Sequence, residues 1–435
     1  VLCCVAELIR VMGAAKAPPN VVVVITCTTR KDELTPYGGH PEVTPFLNKM
    51  ALEGALFEDA IATAPWTFAA SVGLLTGKHA ISLGAVEPSI QRSNRTLPDD
   101  AFTLAERLGE QGYGAFGATA NPNLNPDFGF DQGFDWYQEG IVANLGSVEK
   151  KVSAKTLVDR TLSEVNAWKR KEPKSPFYLQ LVFIEAHGPH RFDDPKRQMF
   201  IEPDEPPLVG QYRADLYHLD EAIGYLDEQL RQSGYDDDNT LLVVISDHGE
   251  GLRWPTHHGF SHGRELFPSQ THIGWFVRGP GVAAGHRIKG LASGLDLVPT
   301  VLSLAGFPTE DHYGEDWSAQ VSGQATKTTR KHAFVDNWFR NVKRAVIFTD
   351  EFACQKDFGS EVDTTVRHET PFEDSCFNRT SDPTWLKPFS QPDILDELTS
   401  WREDRHEELD QHGLSPERGE NEALNKRLEA LGYLE

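Results

Sequence analysis

TLLVVISDHGEGLRWPTHHGFSHGRELF, residues 240–267, is the stretch whose reading decides the fold. Leu241 to Ile245 is an uninterrupted apolar and β-branched run, which predicts a strand buried on both faces of a parallel sheet. The run stops at Ser246-Asp247-His248-Gly249-Glu250. Two potential metal ligands, Asp247 and His248, thus stand together at the carboxyl end of a strand, the edge where open α/β sheets bind ligands. Three further histidines, His257, His258 and His262, follow in a loop rich in glycine. Alone, Ser-Asp-His-Gly reads equally well as a polar turn closing a strand. The remainder of the chain decides between the two.

Working outward, Asn20-Val21-Val22-Val23-Val24-Ile25-Thr26 is a second β-branched run and predicts the first, central strand. Polar residues from Thr28 to Asp32 follow its carboxyl end. Thr44 is a plausible N-cap for a helix opening at Pro45 and closing at Gly54. Phe57 to Ala62 predicts an extended piece, and Phe68 to Leu75 a helix preceded by Trp66-Thr67. Thr67 reads as an N-cap, and the same place suits a hydroxyl facing a bound anion at a helix N-terminus. Helices are also expected over 102–108, 152–168, 212–230 and 296–304, and strands over 114–119, 177–184 and 272–277. The strand ending at Ile184 runs into Glu185-Ala186-His187-Gly188-Pro189-His190. Strands alternating with helices predict a large doubly wound, mostly parallel α/β sheet flanked by helices. The strand ends after Thr26, Ile184 and Ile245 and the helix start at Thr67 all bring polar groups to one edge.

The division expected is a lead-in over 1–18, a catalytic α/β domain over 19–328 and a small α+β subdomain over 329–435. The last of these carries short strands at 333–335, 345–349 and 352–355 and two terminal helices, 393–409 and 421–431.

Sixty-five acidic against 42 basic residues give a net charge of −23, which argues against nucleic-acid binding, since that needs clustered Lys and Arg. No apolar run approaches the roughly 18–20 residues that span a bilayer. The five cysteines, Cys3, Cys4, Cys27, Cys354 and Cys376, form no CxxC pair and no evident disulfide framework. With an N-terminus interrupted by Glu7 and Arg10, unlike a signal peptide, they favour a soluble protein of a reducing, cytoplasmic compartment. The Asn-Arg-Thr triplets at Asn94 and Asn378 are read as chance matches.

Several blocks together resemble the sulfatase family of the alkaline phosphatase superfamily: NVVVVITCTTRKDELTPYG, VTPFLNKMALEGALFEDAIATAPWTFAASVGLLTG, FGFDQGFD, FIEAHGPH, DNTLLVVISDHGE, DLVPTVLSLAG and, in the tail, SCFNRTSDP and LEALGYLE. They are collinear from Asn20 onward. The resemblance implies hydrolysis of sulfate, phosphate or phosphonate esters of small molecules, carbohydrates or lipids at one divalent cation, Ca2+ first, with Mn2+ or Zn2+ as alternatives. It also implies that Asp247 and His248 are metal ligands, that Thr67 is the nucleophile and a further ligand, and that His187 and His262 serve the leaving group.

Two departures qualify it. At the nucleophile the family carries a Cys or Ser that is oxidised to formylglycine, whereas Thr67-Phe68-Ala69-Ala70-Ser71 excludes that modification. In the first strand the family has a metal-binding aspartate. Here Thr26-Cys27-Thr28-Thr29 lacks it, Thr28 is read as offering only a hydroxyl, and Asp32 either swings in as a substitute or, the preferred alignment, matches a separate aspartate beyond the site. A sulfatase-fold protein that binds without cleaving is therefore a second reading. A third is a two-zinc phosphodiesterase drawing on Glu185, His187, His190 and His258.

Overall fold

The computed structural model describes residues 17–87, 95–140, 153–190, 195–255, 260–326, 330–360, 373–419 and 421–430. The lead-in through residue 16, with Cys3 and Cys4, lies outside these residues, as do Asn94, His257 and His258.

β1 (Asn20–Thr26) is the centre of the large sheet, paired in parallel with β5 (Phe177–Phe183) on one side and β6 (Thr240–Ser246) on the other. All three are buried along their whole length, as their unbroken apolar runs predict. Beyond β5 lie β3 (Gly114–Thr119) and β4 (Trp136–Glu139), both parallel to it in direction. Beyond β6 lie β10 (Trp275–Arg278), β2 (Ala55–Ile61) and β11 (His286–Ser293), with short β9 (His272–Ile273) also pairing β2. β10 and β9 run antiparallel to their neighbours, so the sheet is mixed but mostly parallel.

Helices cover both faces, and the pleat of β1 divides its side chains between them. Val21, Val23 and Ile25 join the core under α2 (Thr67–Thr76), α3 (Leu104–Glu110) and α7 (Leu297–Leu304). Val22 and Val24 join the core under α1 (Pro45–Glu53), α4 (Ala154–Lys169) and α5 (Pro207–Gln232). The expected cap of α1 is corrected: the Thr44 hydroxyl instead accepts from the Thr35 N–H, 2.9 Å. The first-turn N–H groups of Phe46 and Leu47 donate to the carboxylate of Asp220 on α5, 2.7 and 2.8 Å. A tertiary contact thus replaces the local one.

Beyond β11 a second sheet forms from β12 (Ala333–Phe339), β13 (Val342–Phe348), β14 (Phe352–Asp357) and β15 (Ser375–Asn378), antiparallel throughout. α9 (Pro392–His412) packs on it, whereas α10 (Glu422–Ala430) returns to the large layer, where Leu424 and Leu428 join the core beneath α2. Cys354 and Cys376 are directly opposed on β14 and β15 and form a disulfide. This corrects the expectation of a chain without such bonds. Disulfides persist in oxidising surroundings, so the cysteines no longer support the reading of a reducing compartment. No helix among the described residues is long and apolar enough to cross a membrane.

Candidate active site

β6 ends at Ser246, and Asp247 and His248 follow in a fully buried turn. Gly249 is required there by close approach, because a Cβ would stand 2.0 Å from the Ser269 carbonyl oxygen. Asp247 Oδ1 accepts the N–H groups of Thr28 (3.0 Å) and His248 (2.6 Å). Its Oδ2 is buried without a hydrogen-bond partner, 3.6 Å from His248 Nε2. His248 Nδ1 donates to the Gly249 carbonyl, 2.8 Å, which leaves the lone pair of Nε2 facing the site. Burial pushes the Asp247 carboxyl up to about 6, against the pull of those two N–H donors. Burial, reinforced by the charge of His262, brings His248 down to about 3.

Thr67 is the first residue of α2 and not, as expected from sequence, its N-cap: the cap position belongs to Trp66, which is extended and offers no side-chain cap. The Thr67 hydroxyl lies 3.2 Å from His248 Nε2 and 3.3 Å from Cys27 Sγ. Cys27, not Thr28, is the first-strand residue facing the site. Thr28 adopts a left-handed conformation (φ 55°), spends its hydroxyl on the Cys27 carbonyl and aims only its N–H inward. Asn121, two residues past β3, completes the cluster, its amide 3.3 Å from Cys27 Sγ and 3.5 Å from Thr67 Oγ1. Burial, and then the Asp247 carboxylate, push the Cys27 thiol well up.

His262 stands on the other side of His248, ring centroids 4.7 Å apart, with His187 next to it at 5.1 Å. The His187 Nδ1–H donates to the Gly188 carbonyl, 2.5 Å. His262 Nδ1 meets both oxygens of buried Glu250, at 3.1 and 3.3 Å. Burial alone would lower His262, but Glu250 outweighs it and holds the imidazole above its ordinary range. Burial likewise acts to raise Glu250, and His262 with His190 and His248 reverse it.

All five residues expected at the site, Thr67, His187, Asp247, His248 and His262, therefore adjoin one another. Asp32 does not join them. It pairs with Arg30 (2.6 Å) and lines a separate cleft of about 450 Å³ beside Lys31, Asp59, His272 and Arg379. Of the second ligand set, Glu185 accepts the first N–H of α4 (2.8 Å) and His190 pairs with Asp215 (2.9 Å), while His258 lies outside the described residues. Asn121, Glu250 and Cys27 are partners that the sequence reading left unassigned. Glu250 carried a signal, a carboxylate in the turn after β6, whereas an Asn after a strand reads as an ordinary turn residue.

Among the described residues, one group has the spacing of a metal site: Cys27, Asp247 and His248, with ligand atoms within 4.8 Å of one another. Ca2+ takes six to eight oxygen ligands. One thiol, one imidazole and one carboxylate do not meet that demand, although the orphaned Asp247 Oδ2 suits a cation of a different preference.

A doubly wound, mostly parallel sheet with a hydroxyl, an Asp-His pair and two further histidines at its carboxyl edge is the architecture of the alkaline phosphatase superfamily. A family model described as Sulfatase matches residues 19–307, and the chain belongs to the sulfatase family. It is 27% identical over 341 residues to N-acetylgalactosamine-6-sulfatase of Homo sapiens, an alignment covering 68% of this chain and 64% of that relative. The chain thus spans somewhat under two thirds of that relative's length. Among solved structures it is similar to Ps i-CgsB, with TM-score 0.70 and 20% identity over 95% of this chain and 98% of that one. It is also similar to the phosphonate monoester hydrolase of Agrobacterium radiobacter, with TM-score 0.67 and 19% identity over 91% and 96%. At these identities the likeness to the two structures is one of fold.

Proposed function

We propose that the chain hydrolyses small-molecule phosphate or phosphonate esters through a threonyl intermediate on Thr67, with sulfate esters as slower substrates. The observation that carries this reading is the Thr67 hydroxyl, at the first turn of α2 and 3.2 Å from the open lone pair of His248 Nε2. The N–H groups of that first turn have no carbonyl within the helix and stabilise an anionic headgroup. Thr67 Oγ1 attacks phosphorus as its proton passes to the Asp247 carboxylate, and the bond to the leaving oxygen breaks. His262, kept protonated by Glu250, gives its proton to that oxygen, with His187 beside it. Water then attacks phosphorus, its proton returns to His262, and the bond to Oγ1 breaks as Asp247 gives its proton back to Thr67. A threonine lacks the hydrated aldehyde of formylglycine, which expels sulfate by elimination, so attack at the transferred atom must complete the cycle. This favours phosphorus over sulfur. A divalent cation held by Cys27, Asp247 and His248 would supply neutralisation of the transferred group and a lower hydroxyl pKa.

The test is hydrolysis of an aryl phosphate, an aryl phosphonate monoester and an aryl sulfate by the native protein and Thr67→Ala. The expected result is turnover of the first two, reduced on the order of 10⁴-fold or more in the variant, as for other nucleophile deletions. Undiminished turnover in Thr67→Ala removes Thr67 as nucleophile. Esters that bind calorimetrically without any turnover would make this a binding protein, the reading that the lost first-strand carboxylate favours.

A further inference from the structure

We propose that the first-strand thiol is itself a metal ligand, so that Cys27 Sγ, Asp247 and His248 Nε2 select a cation that accepts sulfur and nitrogen, Zn2+, over Ca2+ or Mg2+. The proposal rests on the same site as the hydrolytic reading, but its grounds are donor chemistry rather than turnover.

Three features carry it. The three side chains come from two places, Cys27 just past β1 and Asp247-His248 just past β6, yet their donor atoms fall within 4.8 Å of one another. Each donor is also prepared on its far side. Asp247 commits Oδ1 to two backbone N–H groups and keeps Oδ2 buried and unpartnered. His248 commits Nδ1 to the Gly249 carbonyl and so presents Nε2, the usual way a ligating imidazole is fixed. Finally, Cys27 does not sit in a purely apolar pocket. Its sulfur lies 3.3 Å from the Asn121 amide and 3.3 Å from the Thr67 hydroxyl. A buried cysteine that merely filled space would need neither neighbour.

Cation preference follows from ligand type. Thiolate and imidazole suit Zn2+ in a four-coordinate site, whereas carboxylate, carbonyl and water suit Mg2+, Ca2+ and Mn2+. Cys27, Asp247 and His248 leave one of four positions open, and Thr67 Oγ1 or an ester oxygen can occupy it. The open position is what distinguishes catalytic from closed structural zinc sites.

The experiment removes metal from the full chain with a chelator and measures binding of Zn2+, Co2+, Ca2+ and Mg2+ by equilibrium dialysis, without substrate. The expected result is about one equivalent of Zn2+ or Co2+ per chain, with the Co2+ form showing an intense near-ultraviolet thiolate-to-cobalt charge-transfer band. Loss of a residue that only orients a ligand already costs 10–100-fold in metal affinity, so Cys27→Ser should weaken Zn2+ by at least about 100-fold and abolish the band. Cys27→Asp should retain a cation while shifting preference towards Ca2+ and Mn2+. Circular dichroism of each variant separates lost ligation from lost folding, and the native Co2+ spectrum needs no variant at all. Absence of the charge-transfer band in the native Co2+ form overturns the proposal, as does tighter binding of Ca2+ than of Zn2+. A protein that takes Zn2+ through Cys27 yet cleaves no ester keeps this inference and sinks the hydrolytic one. An active esterase whose Cys27→Ser variant binds metal unchanged does the reverse.

Discussion

Asn121 shows what a single amide does in this site. Its Oδ1 accepts the Asn123 N–H (2.9 Å) and shapes the turn after β3, while its Nδ2 points at Cys27 and Thr67. Asn121→Ala removes both roles, and their sizes differ. The turn hydrogen bond is worth about 1 kcal/mol of stability. A donor that aligns a nucleophile is worth about 100-fold in kcat/KM, the lower end of the range for pre-aligned donors at reacting centres. Urea unfolding and aryl phosphate kinetics measure the two separately. A stability loss with kcat/KM unchanged would make Asn121 a turn residue alone. Neither Asn121 nor Cys27 was assignable from sequence, because their contacts join residues 40 and 94 positions apart and neither type stands out locally. Asp247, His248 and Thr67 were legible because a buried apolar run or a helix start fixes which edge they reach. Thr28 was misjudged because its left-handed backbone turns the hydroxyl away.

At the scale of elements, legibility followed burial. Strands with unbroken apolar runs, β1, β5 and β6, fall where periodicity predicts, whereas β11, HRIKGLAS, was missed. It is an outer strand with charged residues turned to solvent and a register shift between Ile288 and Leu291, so it shows no clean alternation. β15 escaped for a different reason: four residues are too few for a pattern, and the bond that marks them joins Cys376 to a partner on another strand. That disulfide closes a loop of 22 residues within the second sheet. Restricting the unfolded chain over such a length contributes about 3 kcal/mol. Cys354→Ser should therefore lower the urea midpoint, and a reductant should lower it for the native protein but not for the variant. Thiol titration of the unfolded protein should find two more thiols after reduction than before. Equal counts, or midpoints indifferent to reductant, would remove the bond from the folded protein.

For the whole molecule, the seams between the large layer and the C-terminal part carry two histidines, His79 buried and His272 half-buried. His79 packs edge-on against Trp401 of α9, centroids 4.9 Å apart, and His272 against Phe348 of β13 at 5.4 Å. Burial, then the charges of Arg405 and Arg330, bring His79 down to about 3. Burial, then Lys31 and Arg379, bring His272 to the same value against the opposing charge of Asp59. Each folded pKa lies below the unfolded value near 6.5, so the unfolded chain binds the proton first. Stability is then full above about pH 6.5 and is lost as pH falls towards 3. Asp220 works in the opposite sense: burial pushes it up to about 7 in spite of its two N–H donors. The folded state therefore holds that proton first, and stability rises on acidification from about pH 7 to 4. Substitution separates the two signs. His79→Phe keeps an aromatic ring at the seam and breaks no hydrogen bond, since the buried Nδ1 has no partner. Relative to the native protein, this variant should gain about 2 kcal/mol between about pH 7 and pH 5, at about 1.4 kcal/mol per pH unit below the unfolded pKa. Asp220→Asn should lose ground over the same interval, because it forgoes the proton uptake that favours the native fold. Urea titrations at the two pH values read both differences. Parallel behaviour of His79→Phe and the native protein would mean that His79 titrates normally and that the seam under α9 is open to water.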